Sequence, residues 1–73
     1  MKIEYDKKAD ILYLHFRTVK PHDSRDVDEG MTLDLDTDGR IVGIEILDAA
    51  ERIGARALLL MTKKGRSGIR TMA

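Results

Sequence analysis

Apolar and polar residues alternate with a period of two in short runs within the first 47 residues, then switch to helical spacing. Lys2-Ile3-Glu4-Tyr5-Asp6 puts Ile3 and Tyr5 on one face, which predicts a half-buried strand over 2–6. Lys7-Lys8-Ala9 makes a polar connection. The next strand is predicted over 10–16, with Leu12, Leu14 and Phe16 on one face and Ile11, Tyr13 and His15 on the other. Both faces are largely apolar, so this strand is expected at the centre, covered on both sides.

Residues 17–30 hold Pro21, many charges and Gly30, and read as a loop with a short extended piece around Arg25–Asp28. A third strand follows over 31–37 and a fourth over 40–47, joined at Asp38-Gly39. Asp-Gly between alternating runs predicts a two-residue type I′ turn, in which Thr37 pairs with Arg40. That register sets Leu35 against Val42, Leu33 against Ile44 and Met31 against Ile46, all on one side.

Asp48 then reads as a helix N-cap, with Glu51 completing a capping box. Ala50, Ile53, Ala57, Leu60 and Met61 recur at helical spacing, Lys63 and Lys64 suit a last turn, and Gly65 suits the C′ position. The expected fold is α+β. An antiparallel β-meander of about four strands (2–6, 10–16, 31–37, 40–47) precedes one C-terminal helix (about 49–64). One small domain spans 1–65, and 66–73 is expected to be a flexible basic tail.

A single helix covers one face of a sheet. Ile11, Tyr13, Ile41 and Leu47 remain on the other face, and Leu58 and Leu59 exceed what one helix–sheet contact uses. Surplus apolar surface on a 73-residue chain predicts a partner, most simply a second copy, with a dimer favoured. The absence of cysteine removes disulfides and thiolate metal cages, and no apolar run approaches a membrane span, so a cytoplasmic protein without cofactor is expected. The net charge of zero conceals two blocks. Residues 1–51 hold all 13 acids and seven bases, a net of −6; residues 52–73 hold six bases and no acid, a net of +6. Such blocks can steer complementary surfaces together.

Tyr5-Asp6, Ala9-Asp10-Ile11-Leu12-Tyr13-Leu14, Leu33-Asp34-Leu35-Asp36, and the run from Asp38 to Ala49 (Asp38-Gly39, then Ile41-Val42-Gly43-Ile44-Glu45-Ile46-Leu47-Asp48-Ala49) carry a resemblance. The chain resembles the small domain-of-unknown-function family numbered 2283, over about residues 1–55. The resemblance implies a strand-rich, one-helix protein with no established catalytic residues. Some members look like partners of small toxin-like proteins encoded beside them, which implies an antitoxin-like binding role with a partner encoded nearby.

Asp34-Leu-Asp36-Thr-Asp38-Gly39, with Glu45 at the twelfth place, matches the calcium loop of an EF-hand. An EF-hand needs a flanking helix on each side, whereas Met31–Leu35 alternates and Ile41–Leu47 is β-branched, so a hairpin with outward carboxylates is the expected structure. In that hairpin Glu45 sits opposite Thr32, away from Asp36. His15 and His22 are the histidines; a small enzyme sited near either is the least favoured reading, because no base is paired with an evident nucleophile. Arg52, Arg56, Lys63, Lys64, Arg66 and Arg70 form a basic stretch that could contact nucleic-acid phosphates. The favoured reading is a non-catalytic, homo-oligomeric binding module, with a nucleic-acid accessory protein as the alternative.

Overall fold

Alternation becomes strand at each of the four expected places, and a fifth strand joins them. The computed structural model describes residues 1–62. Its strands are β1 (Lys2–Asp6), β2 (Ile11–His15), β3 (Asp23–Asp28), β4 (Met31–Leu35) and β5 (Ile41–Leu47), followed by helices α1 (Ala49–Ile53) and α2 (Ala55–Thr62). No helix among the described residues is long and apolar enough to cross a membrane.

The extra strand is β3, in the segment expected to be mostly loop. Its sequence, Asp-Ser-Arg-Asp-Val-Asp, is exposed at every position, so no apolar face announces it. It is held by backbone pairing to β4 and by Ser24 and Thr32 hydroxyls that donate to Asp34 and Asp26 at 2.9 and 3.1 Å. The strand order is β1-β2-β5-β4-β3, with every neighbouring pair antiparallel, so the sheet is not a simple meander. A β1–β2 hairpin and a β3–β4–β5 meander join where β5 pairs with β2. Together β2 and β5 form the apolar centre, as expected for β2, but among the described residues the helices cover only one of its faces, and Ile11, Tyr13 and His15 on the other stay half-buried rather than covered.

The β4–β5 register holds at Met31–Ile46 and Leu33–Ile44, and slips at the turn. Leu35 faces Ile41, with a bulge on β5. The loop has three residues, closed by Gly39 N–H donating to Asp36 O at 3.0 Å, with Gly39 at φ 80°. This is a type I turn followed by a left-handed residue, in place of the expected type I′ turn. The cause is the Asp36 side chain, whose Oδ1 accepts the Asp38 and Arg40 N–H groups, each at 2.9 Å. The bulge keeps both Leu35 and Val42 buried despite the longer loop.

The helical region also departs from the expected single helix. Asp48 has a left-handed backbone (φ 52°) and makes no side-chain cap. Asp10 supplies the cap from the β1–β2 turn. Its carboxylate accepts the Ala50 N–H at 3.1 Å and its carbonyl accepts that of Ala49 at 3.1 Å. The Tyr5 hydroxyl donates to the same carboxylate at 2.7 Å. Gly54, at φ 90° and ψ 139°, breaks the helix in two, and its carbonyl accepts the Leu58 N–H at 3.0 Å to start α2.

The break re-phases the buried face. Leu58 enters the core with Leu12, Ile46 and Ala49, and Met61 packs against that cluster. Leu60, expected inside, is 48% exposed. Lys63, Lys64, Gly65 and the expected tail 66–73 lie outside the described residues.

Asp10→Ala is expected to destabilise the protein by about 1–2 kcal/mol in urea denaturation, the usual cost of losing an N-cap. Asp48→Gly is expected to be neutral or stabilising, because glycine accepts the left-handed backbone without strain. The opposite ranking would restore Asp48 as the cap.

Candidate functional site

Both helices lie on one side of the sheet. Among the described residues nothing covers the other side, and pairing aligns its residues in rows across the strands. One row runs Glu4, Tyr13, Glu45, Thr32, Asp26; the next runs Lys2, His15, Gly43, Asp34, Ser24. Four carboxylates therefore share a face with an aromatic ring, an imidazole and two hydroxyls. Sequence alternation marked Asp34 and Glu45 as outward-facing; it did not foresee β3, which brings Asp26 and Ser24, and could not show which strands would be neighbours.

Tyr13 organises this face. Its ring lies across Gly43 of β5, and its hydroxyl donates to Asp34 on β4. A Cβ at position 43 would stand 2.7 Å from the ring and 2.7 Å from the Leu14 carbonyl oxygen, so only glycine fits beneath it. Burial, the hydrogen bond to Asp34, and the charges of Asp34 and Glu45 push the Tyr13 phenol up to about 12. His15 sits against Tyr13, with ring centroids 4.2 Å apart, and its Nε2 contacts Glu4 Oε1. That hydrogen bond, followed by the nearby Lys2 ammonium, holds the exposed Glu4 carboxyl below its ordinary range. Arg17 pairs with Asp36 on the same side, and the Asp36 carboxyl is lowered chiefly by the Arg40 backbone N–H and then by Arg17.

These pairs engage Tyr13 with Asp34, His15 with Glu4 and Arg17 with Asp36. His22 flanks the far edge strand, with its N–H donating to Leu35 O at 2.8 Å. Three strand spacings, about 14 Å, separate that edge from β2 and His15, so the two histidines do not converge. The calcium-loop candidates Asp34, Asp36, Asp38 and Glu45 are spread along a hairpin, with Glu45 opposite Thr32 as expected. Among the described residues, no three His, Asp or Glu side chains gather to hold a metal ion.

The expected partner surface is divided. Ile41 and Leu47 are 43% and 40% exposed, and Ile11 and Tyr13 are half-buried on the open side. Leu58 is withdrawn, because it is a core residue of the chain itself, whereas its neighbour Leu59 is 65% exposed. Of the basic stretch, Arg52 lies across Gly30 and reaches Asp28 at 3.8 Å, while Arg56 is exposed. Lys63, Lys64, Arg66 and Arg70 lie outside the described residues.

Gly43→Ala is expected to cost about 1–3 kcal/mol by overpacking against Tyr13 and the β2 backbone, measured by denaturant melting. Tyr13 gives a pH signature. A phenol held protonated contributes stability fully below its ordinary value of 10.0, and loses that contribution as pH rises through about 12. With two tyrosines in the chain, tyrosinate absorbance should show a late step near pH 12 that Tyr13→Phe removes. Ionisation of Tyr13 at its ordinary value would refute the Tyr13–Asp34 arrangement.

No curated protein and no solved structure matches the chain. The model of one family, described as a protein of unknown function (DUF2283), matches residues 2–49. That span contains all five strands, the Asp10 cap and the first residue of α1. The chain therefore belongs to the DUF2283 family.

Proposed function

We propose that the protein is a non-catalytic binding module that works as a homo-oligomer, most simply a dimer, and engages a protein partner. One observation carries this reading. Phe16, Val19, Val27, Ile41, Leu47, Leu59 and Leu60 are each 40–65% exposed on a chain of 73 residues. Apolar exposure on that scale favours association. The polar groups that could do chemistry are meanwhile committed to one another in Tyr13–Asp34, His15–Glu4 and Arg17–Asp36 pairs. The family resemblance adds an antitoxin-like role, in which the module neutralises a small protein encoded beside it.

Sedimentation at micromolar concentration is expected to give at least twice the 8.2 kDa chain mass, and a purely 8.2 kDa species would overturn the oligomer. Co-expression with the adjacent gene product is expected to retain that product in a pulldown and to relieve any growth arrest it causes. Failure of both would remove the partner reading. Salt-dependent DNA or RNA binding, lost when Lys63, Lys64, Arg66 and Arg70 are changed to Gln, would instead favour the nucleic-acid alternative.

A further inference from the structure

Among the described residues, the five-stranded sheet in the order β1-β2-β5-β4-β3 has two unpaired edges, β1 and β3. They differ in how they would meet a second copy. Edge β3 carries Asp23, Asp26 and Asp28 against one Arg25 and is exposed throughout, so two such edges repel. Edge β1, Lys2-Ile3-Glu4-Tyr5-Asp6, reads as its own complement when reversed. Lys2 then faces Asp6, Ile3 faces Tyr5, and Glu4 faces itself.

The hydrogen-bonding parity of the sheet shows which groups β1 offers. Phe16 N–H donates to Val42 O at 2.8 Å, which fixes the even residues of β2 as those bonded to β5. The odd residues of β2 are then bonded to β1, and their partners are Lys2, Glu4 and Asp6. The N–H and C=O groups of Ile3 and Tyr5 therefore point away from the sheet. Among antiparallel self-pairings, the one centred on Glu4 uses all four of these groups on each copy and overlaps the whole strand.

We propose that β1 pairs antiparallel with β1 of a second copy, with Glu4 on the twofold axis, joining two five-stranded sheets into one. The inference rests on the oligomer reading above and assigns its interface. Ile3 of each copy exchanges two backbone hydrogen bonds with Tyr5 of the other, and two Lys2–Asp6 pairs lie directly opposite on the open face. Glu4 against Glu4 is the one unfavourable pair, and each carboxylate has its own Lys2 and His15 beside it.

The edge also has an apolar flank. A hollow of about 340 Å³ between β1 and α2 is lined by Tyr5, Ala55, Leu59 and Thr62, among others. A twofold axis perpendicular to the sheet brings both α2 helices to the same side, next to the axis, where the exposed Leu59 loses water. Because this contact is isologous, it closes at two copies; a β1–β3 contact would propagate into a filament.

The chain has no cysteine, so a single introduced thiol reports the axis directly. In Glu4→Cys the two thiols occupy a non-hydrogen-bonded antiparallel pair, with Cα atoms about 4.5 Å apart, within the range a disulfide spans. Mild oxidation is expected to convert Glu4→Cys to a covalent dimer, while Asp26→Cys on β3 stays uncrosslinked. Lys2→Glu, which touches no core residue, sets two like-charge pairs across the axis and should weaken the dimer about tenfold or more with unchanged circular dichroism. Lys2→Arg should leave it intact. A wild-type dimer with no Glu4→Cys crosslink and no Lys2→Glu effect overturns the β1 interface and leaves the oligomer reading standing. A wild-type monomer overturns both.

Discussion

The helix layer is fastened to the sheet at Asp10. A left-handed residue ends the β1–β2 turn there, which aims its carbonyl and carboxylate at the first N–H groups of α1. The Tyr5 hydroxyl holds that carboxylate in place, so one side chain ties β1, β2 and the helix start together. A five-residue helix has too few internal hydrogen bonds to persist alone, and its orientation depends on this external cap. Ala49, Leu12, Ile46 and Leu58 pack as a core just beneath it. The pK of the Tyr5 phenol is raised chiefly by the same Asp10 hydrogen bond. The family match ends at Ala49, the residue whose N–H the Asp10 carbonyl accepts.

The two faces of the sheet follow from parity. Every odd position of β1 and every even position of β2 is turned toward the helices, and the apolar residues Ile3, Tyr5, Leu12 and Leu14 fall there. The opposite parity holds Glu4, Tyr13, His15, Asp34 and Glu45. Tyr13 bridges from β2 to β4 only because Gly43 leaves the intervening strand bare. On this polar face Tyr13, Asp34, His15 and Glu4 are paired with one another, whereas the exposed apolar residues sit at strand ends, in the β2–β3 connection, on β3 and on α2.

Alternation in the sequence was enough to locate β1, β2, β4 and β5, because each has an apolar face that must be buried. The β4–β5 register away from the turn followed from the same pattern. Three features lay beyond it. Strand β3 has no apolar face, so only its backbone pairing reveals it. The helix cap comes from a residue 40 positions away, and a local capping rule points to Asp48 instead. The helix break at Gly54, which turns Leu58 inward, departs from the uninterrupted helical spacing read over 49–64. The candidate site was half legible: outward parity placed Asp34 and Glu45, while Asp26 lies on the unforeseen β3 and the neighbours of Tyr13 depend on a strand order that no local signal encodes.

That strand order has a kinetic meaning. β1–β2 and β3–β4–β5 are each made of sequence neighbours, joined by tight turns that close quickly. The pairing of β5 with β2 is different, because Leu12 meets Ile46 only after the intervening chain has been looped back. The segment from Phe16 to His22 must meanwhile cross three strand spacings, about 14 Å, with seven residues that reach at most about 25 Å. The entropy of that closure is lost before the central contacts form. Docking of the two locally formed units, in which Leu12 and Leu14 meet Ile46 and Ile44, is therefore the pairing with the largest closure cost in the sheet.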